Sequence, residues 1–187
     1  MKLKKLNAGL GLLSILLILL HIGYSVYAYL ALYYNPFLKL VFAVPFMVIA
    51  CLHAVLGMMT VFMQADGIRM DLYPKQNRAT ILQRGSAALI FPLLIMHINT
   101  FSMMKAAAEK GQIPIILLLI AGVLLFYAVV ITHVAVSLTK ALITLGLLTS
   151  RKTQQMLDKI IYVLGAVIYV IAVYAVVKGQ ITMFLLG

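Results

Sequence analysis

Residues 113–148, IPIILLLIAGVLLFYAVVITHVAVSLTKALITLGLL, hold one charged side chain, Lys140, and one histidine, His133. A helix crosses the hydrocarbon core of a bilayer with about 20 such residues. This stretch is longer, so its end protrudes or the helix tilts. Working outward, four more runs have the same character, at about 7–34, 39–63, 79–105 and 160–177. Asn35 and Pro36 stop the first, and Glu109, Lys110 and Gly111 mark the turn before the fourth. The longest hydrophilic stretch, 64–78, reads as a loop because it contains Gly67 and Pro74. The expectation is an all-α membrane protein: one domain over 1–187 with five transmembrane helices. No repeat is visible in a direct reading of the chain.

Composition agrees. Of the 187 residues 65% are apolar and 10% charged, where a soluble domain carries roughly 25% charged. The net charge of +11 is not a nucleic-acid footprint, because the basic residues sit between spans. With the N-terminus inside, Lys2, Lys4, Lys5, Arg69, Lys75, Arg78, Arg84, Lys140, Arg151, Lys152 and Lys159 fall on the inner side. Lys39, Lys105, Lys110 and Lys178 fall outside. That bias predicts a cytoplasmic N-terminus and an external C-terminus. The first apolar run continues to Tyr34, too long for the core of a secretory signal. The single cysteine, Cys51, excludes an internal disulfide, a CxxCH haem attachment and a four-Cys iron–sulfur site.

The chain has four histidines, His21, His53, His97 and His133, one in each of the first four spans. A lone buried histidine is more often a hydrogen-bonded packing residue than a ligand, but four distributed one per helix are harder to explain so, since ionisable groups at membrane depth are costly. Depth sorts them. At about 1.5 Å of rise per residue, His21 and His97 lie toward the outer ends of outward-running spans. His53 and His133 lie toward the inner ends of inward-running ones. Two layers of two imidazoles suit two bis-histidine b-type haems in a four-helix core. They do not suit one zinc ion, which needs three or four ligands at one depth.

Other residues extend this picture. Gly57 and Ser137 each follow an inner histidine by four positions, on the same helix face, and would give a macrocycle clearance; ordinary small-residue helix packing explains them as well. Lys140, Arg84 and Gln83 are candidates to meet haem propionates, with snorkelling at the inner interface as the competing explanation.

The stretches Leu52-His53-Ala54-Val55-Leu56-Gly57, Leu82-Gln83-Arg84-Gly85-Ser86 running on to His97, and His133 through Gly146 to Thr149-Ser150-Arg151 support a resemblance. The chain resembles the single-polypeptide, five-helix dihaem cytochrome b subunit of succinate:quinone oxidoreductases and quinol:fumarate reductases. It looks most like the menaquinone-reactive succinate dehydrogenase type. The resemblance covers most of the chain, with span 1 matching mainly through His21. It implies a multi-pass anchor in a prokaryotic cell membrane whose first four helices form the haem-binding bundle, with axial pairs His21/His97 and His53/His133. It implies a flavoprotein (FAD) subunit and an iron–sulfur subunit on the cytoplasmic face, and leaves room for a dimer of the whole complex. Electrons would pass between those subunits, two haems b and a quinone, with succinate or fumarate chemistry on the partners rather than this chain. Tyr33, Tyr34, Asn35 and Lys39 offer polar groups for a quinone near the outer face; interfacial anchoring accounts for the tyrosines equally well.

Two departures stand out. Ser137 occupies a position that is often glycine in such subunits, and no Asp or Glu falls within the spans read above. Two other functions compete: a haem anchor for a different flavoprotein reductase, and a histidine-containing transporter. The transporter reading lacks intramembrane carboxylates and an inverted repeat.

Overall fold

The computed structural model describes residues 2–64 and 78–186. Most of the hydrophilic stretch expected between spans 2 and 3, including Asp66, Gly67, Arg69, Asp71, Pro74 and Lys75, lies outside them. Five α-helices follow in order: α1 (Lys2–Ala31), α2 (Pro36–Gln64), α3 (Arg78–Glu109), α4 (Ile113–Leu145) and α5 (Arg151–Ile181). A short π-helical turn, Thr182–Leu186, ends the described chain. All five helices are long and apolar enough to cross a membrane. No strand is present among the described residues.

Local chemistry sets the helix ends. Asn35 caps α2, its Oδ1 accepting from the backbone N–H of Phe37 (3.0 Å) and Leu38 (3.1 Å). The Tyr24 hydroxyl closes that turn: it donates to the Asn35 carbonyl (3.0 Å) and accepts from the Asn35 N–H (3.2 Å). α4 stops at Gly146, whose φ of 80° is left-handed. Its N–H reaches Ile143 and that of Leu147 reaches Leu142, so the last carbonyls of the helix are satisfied. Ser150 then caps α5, accepting from the N–H of Thr153. α2 and α3 run on through Pro45 and Pro92.

Because of the Ser150 cap, α5 begins nine residues before the apolar run that marks its span in the sequence. Asp158 therefore lies within the helix, where its carboxylate accepts a hydrogen bond from the hydroxyl of Thr139 on α4. Thr139 is 2% exposed, so this bond joins two helices in a nearly dry contact. Replacing Asp158 by Ala is expected to lower the stability of the α4–α5 pair by about 1 kcal/mol, the scale of interhelical hydrogen bonds in lipid. Asp158→Asn, which keeps an acceptor, should cost less. Thermal unfolding of the three proteins in one detergent checks the order.

The helices pair as hairpins, α1 with α2 and α3 with α4, and α1 also meets α4. α5 packs against both α1 and α4. Among the described residues the contact between α2 and α3 is at most slight. α4 touches α1, α3 and α5 and supplies much of the core, including Ile116, Leu119, Ile120, Val123 and Phe126. No described residue of α2 is buried. The molecule's exterior is apolar, with Leu118, Phe37 and Phe91 about 70% exposed, while Ser86, Thr100, Thr139 and Gln180 are buried. Lipid tails solvate such a surface, and interhelical polar contacts then hold the helices together.

Candidate functional site

The four histidines lie at two levels of the helical assembly. At the end that holds the N-terminus, the rings of His53 on α2 and His133 on α4 face one another across a diagonal. Their centroids are 6.4 Å apart and their planes 64° apart. The neighbouring hairpin helix anchors each ring. His53 Nδ1 lies 3.1 Å from the carbonyl of Asn7 on α1. His133 Nδ1 lies 3.1 Å from the carbonyl of Gln83 on α3 and 3.2 Å from the Ser86 hydroxyl. A carbonyl only accepts, so in both rings Nδ1 carries a proton, and in the neutral imidazole the lone pair is then on Nε2. That is the tautomer of a metal-binding imidazole whose second nitrogen is held by a backbone carbonyl.

His21 and His97 sit at the other level, toward the end that holds the α1–α2 turn. Fourteen residues separate Asn7 from His21, and fourteen separate Gln83 from His97, or about 21 Å of helix. Both line a cavity of about 60 Å³ together with Ser25, Phe46, Phe126 and Tyr127. His97 stacks on Phe126 at 4.8 Å and meets Tyr127 edge-on at 5.9 Å. His21 stacks on Phe46 at 6.0 Å. The Nδ1 atoms of His21 and His97 are buried without a hydrogen-bond partner. A buried polar atom in this state calls for a ligand, a metal or an ordered water.

The other residues singled out from the sequence fall around these two levels. Lys140 Nζ donates to Gln83 Oε1 at 2.9 Å and lies 3.5 Å from the Thr80 hydroxyl, so two of the three propionate candidates are joined. Arg84 follows Gln83 on α3 and is half-buried. Gly57 faces α1: a methyl there would lie 3.8 Å from the Asn7 amide. Ser137 and Asn7 each leave a buried side-chain oxygen without a partner, Oγ and Oδ1.

At the turn end the polar groups of Asn35 are committed to the turn and to Tyr33, whose hydroxyl accepts from Asn35 Nδ2 at 3.3 Å. Lys39 Nζ lies 5.7 Å from the centre of the Tyr34 ring, and Tyr34 stacks on Phe101 at 6.0 Å.

Reading the sequence missed three contributors. Asn7 acts through its backbone carbonyl, which no side-chain pattern advertises. Gly11 leaves room for the His53 ring, and a methyl there would lie 3.0 Å from His53 Cε1. Ser86 could have been found as a hydroxyl three positions after Gln83.

Among the described residues no three His, Cys, Asp or Glu side chains converge on one point. Comparison with family models, curated proteins and solved structures finds no match to this chain.

Proposed function

We propose that the chain is the membrane-embedded dihaem b subunit of a quinone-linked dehydrogenase or reductase, with flavin and iron–sulfur chemistry on partner subunits. The observation that supports this best is the His53/His133 pair. The two rings lie 6.4 Å apart between centroids, on different helices at one level, and would be the residues to hold one haem. With Nδ1 held by a carbonyl, each ring in its neutral form would offer the Nε2 lone pair to haem iron. His21 and His97, which line one cavity at the other level, would form the second pair.

Haem b, when bound by such a pair, supplies a one-electron carrier. The chain's own residues do the rest. The carbonyls of Asn7 and Gln83 orient the imidazoles. Lys140 and Arg84 offer cations, and Gln83 an amide, for propionates at the N-terminal end. The buried oxygens of Ser137 and Asn7 are further polar groups close to the first pair. A quinone would meet the protein at the turn end, where Tyr33, Tyr34, Asn35 and Lys39 lie.

Menaquinone as the quinone, succinate or fumarate as the partner's substrate, and the cytoplasmic position of the partners belong to the same reading. They rest on the resemblance and on the distribution of basic residues. A subunit serving a different flavoprotein differs only in the partner, and purification of the intact complex separates the two.

The test is a reduced-minus-oxidised spectrum of the purified chain, with pyridine haemochrome counting. The expected result is a b-type signal and two haems per chain. A colourless protein with intact helices would refute the reading.

A further inference from the structure

The hydrogen bonds of His53 and His133 set a register between the two hairpins. His53 on α2 is held by Asn7 on α1, and His133 on α4 by Gln83 on α3. Shifting α1 by seventy-six positions lays Leu6-Asn7-Ala8-Gly9 on Leu82-Gln83-Arg84-Gly85. The same shift lays His21-Ile22 on His97-Ile98. The matched Leu6, Gly9, Leu13, Leu17 and His21 recur every three or four residues, so they follow one helix face. On the second helix the shift is eighty, laying His53 on His133 and Gly57 on Ser137. The four extra residues make the second hairpin about one helical turn longer.

We infer that α1–α2 and α3–α4 are two copies of one imidazole-presenting hairpin, and that Gly11 and Ser86 are the positioning residues fixing the tautomer and aim of His53 and His133. The inference rests on the proposed function only in naming haem as the group addressed; the tautomers follow from the hydrogen bonds alone. A helical carbonyl accepts one bond from the N–H four residues on and keeps a second lone pair. In both copies that lone pair takes the Nδ1 proton, leaving two Nε2 lone pairs for one ligand between the hairpins.

The copies reach this state by different means. In the first, the ring comes close to α1 at a glycine: a methyl at Gly11 would lie 3.0 Å from Cε1 and 3.3 Å from Nδ1 of His53, so the ring would have to shift by a few tenths of an ångström. In the second, Ala87 takes the place of Gly11 and Ser86 that of Leu10. The Ser86 hydroxyl donates to the Leu82 carbonyl at 2.5 Å. Its oxygen then shares the His133 Nδ1 proton with the Gln83 carbonyl.

Nitrogen NMR of the full-length chain in liposomes, labelled with ¹⁵N-histidine and assigned by single His→Gln variants, reads the tautomers with no haem added. In the wild type, His53 and His133 should both show a protonated Nδ1 and a bare Nε2. Gly11→Ala should abolish the His53 Nδ1–H signal and leave His133 unchanged. Gly9→Ala, which faces open space, should change neither. Ser86→Ala should shift His133 alone, and Ser86→Thr should restore it. Protonated Nε2 in the wild type, or equal effects of Gly9→Ala and Gly11→Ala on His53, would overturn the inference. In protein purified with haem, Gly11→Ala should shift the midpoint potential of one haem and spare the other. Correct tautomers in a chain that binds no haem would sink the proposed function and leave this inference standing. Two bound haems with wrong tautomers would do the reverse.

Discussion

His53→Ala is expected to leave one haem per chain where the proposed function gives the wild type two, and His133→Ala to remove the same one. This is the largest effect expected from any single substitution. Six-coordinate ligation by two imidazoles fails when either is lost, and among the described residues no third His, Cys, Asp or Glu joins the pair to replace it. His21→Ala and His97→Ala should remove the other haem, since these two line one cavity about 21 Å further along the helices. Redox titration of each variant, with helix content followed by circular dichroism, separates haem loss from unfolding. A result that groups His21 with His53, and His97 with His133, would reject the diagonal pairing in favour of pairing within hairpins.

Gly179→Ala should destabilise the fold by about 1–3 kcal/mol, the usual range for overpacking a tight contact. α5 meets α1 here so closely that a methyl at Gly179 would lie 2.5 Å from Tyr29 Cδ1 and 2.9 Å from Tyr29 Cβ. A ring can turn aside, but a Cβ moves only with its backbone, so the two helices must part. The contact is central to the way α5 seats: Ala175 and Val176 are 0% and 2% exposed, and Gln180 Nε2 donates to the Tyr29 hydroxyl at 3.4 Å. Gly23→Ala, where nothing lies within 4 Å, should instead be neutral or stabilising by up to about 1 kcal/mol, because alanine is the better helix former. Thermal unfolding in detergent checks both signs. Equal stability of the two variants would mean that α5 does not pack as closely as described.

Particular residues show how far the sequence could be read. The five helices were legible because each apolar run is long enough to span a bilayer, and turn residues separate the runs. The far end of α4 read slightly long, since Gly146 adopts a left-handed φ that ends the helix three residues before Leu148. The start of α5 was read late. Hydropathy marks only the apolar part of a helix, and the segment from Arg151 to Lys159 is polar yet helical behind its Ser150 cap. Asp158 was therefore placed outside the span, and its bond to Thr139 could not be foreseen. That His53 and His133 share a level followed from counting residues along helices. The backbone carbonyls that hold them did not.

The sequence by itself determined five apolar helices, their order, and the level of each histidine along its own helix. These are local properties: about twenty consecutive residues decide whether a segment crosses, and a fixed rise per residue turns position into depth. The tertiary structure alone decided which face of each helix turns inward. It placed α5 against α1 and α4, joined α1 to α4, and brought Asn7, Gly11 and Ser86 to the imidazoles. The physical reason is the solvent. In water an apolar stripe identifies the buried face of a helix, but lipid is as apolar as leucine and sets no such preference. Close approach at glycines and a few hydrogen bonds choose the faces instead, and those contacts exist only once the helices have met.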